Sequence, residues 1–142
     1  MALSLRVAQG MVQAGVAAAE GQGIQVSIVI VDAGGYLIAA ARMDQTPLLA
    51  PDIALGKAAA AALFRCPSAE LAQRWGPGAA IPAAMSIRMG GRFVASQGGL
   101  PIFDGAECVG GVGVSGAAPA QDEEVAQAAI EGRAAEGSVP RP

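Results

Sequence analysis

The chain contains no histidine. That removes the commonest general base, the commonest metal ligand and the commonest heme ligand together. A Ser-His-Asp arrangement is impossible. Lysine is nearly missing as well, with Lys57 the single example. Nine basic residues stand against twelve acidic ones, for a net charge of −3, and no Lys/Arg cluster forms. Nucleic-acid binding through a basic face is therefore excluded. The two cysteines, Cys66 and Cys108, cannot build a disulfide framework and have no zinc-site spacing. They read as free thiols of a reducing compartment, so a cytoplasmic location is expected. No apolar run reaches about 18 residues, so no membrane span is predicted. Met1 to Gly10 shows no basic stretch followed by an apolar core, so no signal peptide is expected. No metal site is expected either.

The 142 residues fit one domain, predicted over 1–137, with 138–142 as a flexible C-terminal tail. Hydrophobic residues make up 53% and charged residues 15%. Much of that excess is alanine, suited to close helix packing. Part of it should cover a subunit interface, so a homo-oligomer is expected.

Leu5, Ala8, Met11, Val12, Gly15, Val16 and Ala19 recur at helical spacing, with Ser4 as N-cap and Gly21 and Gly23 as stops. Gln25 to Val31 reads as a buried strand, Asp32 to Gly35 as a turn and Tyr36 to Arg42 as the returning strand. Pro51 and Asp52 suit the first turn of a helix that runs to about Arg65 and ends before Cys66-Pro67. Ser68 is positioned to cap a short helix through Trp75, and Gly76 to Ala84 reads as a loop. Arg92 to Ser96 is a predicted strand. Gly98-Gly99 turns the chain into a strand from Leu100 to Phe103. Asp104-Gly105 signals a hairpin into Ala106 to Val114. Asp122, Glu123 and Glu124 open a last helix that Gly137 stops. Hairpin-linked strands between helices argue for one antiparallel sheet covered by helices, not a parallel doubly wound sheet.

Six segments in order carry a family resemblance: Val31 to Gly35, Ala41 to Asp44, Gly56 to Ala60, Gly98 to Ile102, Val109 to Gly116 and Gln121 to Glu124. Together they make the chain resemble the GlcG/HbpS family, the heme-degrading domain also found at the C-terminus of PduO-type proteins. The resemblance implies a single α+β domain: a five-stranded antiparallel sheet flanked by helices in a profilin-like arrangement, assembled into homo-oligomers. It also implies heme as a candidate cofactor, since some members bind it. The iron ligand in some members is histidine, which this chain cannot supply.

Gly111 to Gly116 fits G-x-G-x-x-G, but no βαβ unit and no acidic ribose partner follow. It reads instead as a Gly-rich strand that a helix approaches closely. Arg42, at the end of an apolar strand, and Lys57, in an Ala-rich helix, suit the carboxylate of an anionic ligand. Asp44 is their alternative partner, pinning hairpin to helix. Gly98 and Gly99 can offer backbone N–H groups to a ligand oxygen, or form a plain turn. Cys108 reads as a core thiol more readily than as an iron ligand or nucleophile. Two functions follow. One is a protein that binds a small planar or anionic molecule, heme among the candidates, near Arg42, Lys57, Gly98 and Gly99. The other is a cofactor-independent lyase or isomerase for a small organic acid, with Asp44 or Glu107 moving the proton.

Overall fold

The computed structural model describes residues 2–137; the predicted tail at 138–142 lies outside them. The elements run α1 (Leu5–Gln22), β1 (Ser27–Asp32), β2 (Leu37–Arg42), α2 (Ala50–Phe64), α3 (Ser68–Trp75), α4 (Ala80–Arg88), β3 (Gly99–Asp104), β4 (Glu107–Ser115) and α5 (Pro119–Gly137). The strands form one antiparallel sheet in the order β2-β1-β4-β3. The α+β class and the antiparallel sheet stand as expected; the number of strands does not.

Among the described residues the sheet has four strands, not five. Arg92 to Ser96 runs extended without joining a ladder. It is tied to helices instead: the Val94 N–H donates to Gly56 O, and Ser96 O accepts from Ser68 Oγ. Phe93 is buried against Phe64 and Trp75. These bonds commit the segment to α2 and α3 rather than to the sheet edge. The loop expected over Gly76 to Ala84 is also wrong in its second half, where α4 begins at Ala80. Pro82 falls in the first turn of α4, where a missing N–H costs no intrahelical bond.

The two faces of the sheet are packed differently. Ile28, Ile30, Val112 and Val114 meet α1 and α5 through Met11, Val12, Val125 and Ala129. Val29 and Val31 meet Ala54, Ala58 and Ala62 of α2. A helix apolar all round is a buried helix, and α2 buries Ala50, Ala54 and the whole run from Gly56 to Ala62. Gly111 and Gly113 of β4 make room for it: a Cβ at Gly113 would run into Ala54 O, and one at Gly111 into Ala58 O. The close approach expected of this Gly-rich strand is thus found.

Candidate functional site

Lys57 projects from the middle of α2 and is 4% exposed. Its Nζ donates to Val114 O at 2.9 Å and to Asp122 Oδ2 at 3.2 Å. Asp122 lies in the first turn of α5, and its Oδ1 accepts the Ala117 N–H at 3.0 Å. Burial pushes the Asp122 carboxyl above its ordinary value, against the pull of the Ala117 N–H and the Lys57 ammonium. The carboxylate that pairs with Lys57 is therefore Asp122, not Asp44. Gly98 and Gly99 lie in the same buried knot. The Gly99 N–H donates to Ser68 Oγ at 2.8 Å, and a Cβ at Gly98 would meet Lys57 Nζ at 2.8 Å. The N–H of Gly99 is thus engaged inside the protein. Ser68 takes the first position of α3 rather than its cap, and its hydroxyl bridges α3 to residues 96–99.

Arg42 does not join that knot. It pairs in register with Ser27, which faces Ser115 across β1, so it lies two strands from the end of β4, about 10 Å by ordinary strand spacing. There it is exposed and lines a cleft of about 400 Å³ with Gln13, Val16, Glu20, Ala41, Met43 and Asp44. Glu107 lines a different cleft, of about 460 Å³, with Leu3, Ile38, Cys108 and Val109. The two proposed proton carriers, Asp44 and Glu107, are therefore not brought together. The Cys108 sulfur sits 3.6 Å from Ala62 O and 3.4 Å from Gly110 O, a thiol donating to backbone carbonyls. Burial, aided by Glu70, pushes the Cys66 thiol up against the opposing effect of Arg74, which makes it less reactive.

The split arrangement, an internal ion pair and an open cleft where Arg42 stands with Glu20 and Asp44, sits on a fold that has relatives. The model of the Haem degrading protein HbpS-like family matches residues 3–131. The chain belongs to this family. An uncharacterized 15.0 kDa protein from the dhaT-dhaS intergenic region of Citrobacter freundii is 33% identical over 129 residues, covering 91% of this chain and 90% of that protein. The corrinoid adenosyltransferase PduO of Citrobacter freundii is 33% identical over 130 residues, which are 92% of this chain but 38% of PduO. The solved PduOC:heme complex superposes with a TM-score of 0.82 at 30% identity, covering 93% of this chain and 95% of that one.

Sequence reasoning missed the role of Asp122, which it assigned to the helix dipole alone. A signal was present: a sole lysine inside an alanine helix needs a carboxylate from another element. Spacing could not say which of twelve acidic residues supplies it.

Proposed function

We propose that this chain is a cytoplasmic small-molecule-binding protein, assembled as a homo-oligomer, whose ligand is planar or anionic, with heme among the candidates. The observation that carries this reading is the likeness to the PduOC:heme complex over nearly the whole of both chains. The Arg42 cleft supports it. Its volume of about 400 Å³ falls in the range of small-molecule sites. Val16, Ala41 and Met43 supply apolar wall, and Arg42 supplies a guanidinium suited to a carboxylate. The residues fit heme propionates better than they fit the iron. No imidazole exists, and the soft donor in the cleft is the Met43 thioether. Heme in this cleft is therefore held by apolar contact and propionate pairing, exchanges readily and is high-spin.

Titrating hemin while recording the absorbance spectrum tests the reading. A saturable high-spin spectrum is expected, and Arg42→Ala should weaken binding by roughly 2 kcal/mol, the scale of a charge-assisted hydrogen bond. Its melting temperature should stay unchanged, because Arg42 is exposed. A tight low-spin complex would overturn the ligation. A spectrum no different from that given by an unrelated protein would remove heme, and binding indifferent to Arg42→Ala would remove the cleft.

A further inference from the structure

Helix α4 is held differently from every other helix. None of its residues is fully buried. Only the row Pro82, Met85, Ser86 and, at its cap, Met89 is half covered. Ile81 and Ile87 are 52% and 80% exposed. The inner row rests Met85 and Met89 on the cluster of Leu71, Phe93 and Trp75. On either side stand glycines with positive φ: Gly76 at 72° and Gly78 at 71° before it, Gly90 at 65° and Gly91 at 85° after it. A Cβ at any of the four would meet nothing within 4 Å. The hydrogen bonds at these joints are local: the Gly76 N–H donates to Ala72 O, the Gly90 N–H to Ile87 O, the Gly91 N–H to Ser86 O and the Arg92 N–H to Met89 O. With no fully buried residue and only local hydrogen bonds at its joints, the α4 segment opens more readily than α2.

Between α3 and the residues that lead into α4 lies a cleft of about 300 Å³, walled by Leu71, Trp75, Pro77, Ala95 and, from α4 itself, Pro82. None of the lining side chains carries charge. Their polar groups are the Trp75 indole N–H and the backbone around Gly76 to Ala79. An apolar cavity of about 150 Å³ is enough to take up benzene. We propose that this cleft is a second binding site, separate from the Arg42 cleft, for a small neutral ring-bearing molecule, and that the segment from Gly76 through α4 is its hinged wall. Trp75 supplies the aromatic wall, the backbone amides can meet one polar substituent, and no lining side chain offers a cation to an acid.

Trp75 is the single tryptophan of the chain, so its emission reports on the surroundings of a cleft-lining side chain. Toluene, which has no group for Arg42 to grip, is the probe. A saturable change in Trp75 emission is expected below the solubility limit of toluene. Ala72→Leu, which fills the cleft, should weaken that response tenfold or more; if that variant does not fold, Ala79→Leu serves. Amide hydrogen exchange of residues 76–91 should run at least tenfold faster than that of α2, and should slow when toluene is present. No saturable change, or an unchanged response in a folded cleft-filling variant, overturns the site. Exchange over 76–91 as slow as in α2 without toluene overturns the hinge.

Discussion

Lys57 and Asp122 show how a single residue pair governs this molecule. Both side chains are almost wholly removed from water, at 5% and 3% exposure. Ion pairs so placed gain little net stability, but breaking one leaves a buried charge alone. Lys57→Met should therefore cost about 3 kcal/mol at neutral pH in denaturant unfolding, and adding Asp122→Leu should recover much of that loss. The pH dependence has a definite sign. Because the Asp122 carboxyl is raised from 3.8, the folded chain holds that proton to higher pH than the unfolded chain. This group thus favours folding most below about 3.8, and its contribution falls as pH rises through the folded value. Asp122→Asn keeps an oxygen for the Ala117 N–H and should flatten that slope. An unchanged slope would show that another group is responsible.

At the scale of elements, the contact of α2 with the sheet depends on missing side chains rather than on large ones. Gly113 and Gly111 leave gaps filled by the α2 backbone, and Gly56 leaves a gap filled by Val94. Gly113→Ala places a methyl group against Ala54 O, between two backbones that cannot rotate away. Overpacking of this kind should cost about 3 kcal/mol or more, seen as a large fall in denaturation midpoint. Gly105→Ala, in the β3–β4 turn, meets open space but a φ of 62°, so it should cost only about 1 kcal/mol. Equal losses at the two sites would mean that α2 can shift to accommodate a methyl group.

Over the whole molecule, apolar side chains remain outside. Leu48 and Leu49, ahead of α2, are 81% and 67% exposed, and Tyr36, Leu37 and Ile87 are also mostly uncovered. So much apolar surface on a chain of 14.0 kDa suits burial against further copies. Light scattering on a dilute sample should give a multiple of that mass; a single 14.0 kDa species would refute the oligomer. No helix among the described residues is long and apolar enough to cross a membrane.

Periodicity and turn chemistry alone located α1, both hairpins, α2 and α3, because each announces itself over a few neighbouring residues. Ser4 does cap α1, its side-chain oxygen accepting the Val7 N–H, and Gly23 does end the helix. The family was legible in the same way, from six short segments in order. Tertiary structure decided what depends on partners distant in the chain. Arg92 to Ser96 has the composition of a strand, yet its hydrogen bonds go to Gly56 and Ser68, which no local pattern reveals. Lys57 was marked by its rarity, but only the docking of α5 made Asp122 its partner across 65 residues. The same docking drew Lys57, Gly98 and Gly99 inward and left Arg42 on a cleft of its own. Charge and residue type are carried by the sequence; whether a charge faces a ligand or another helix depends on which surfaces meet.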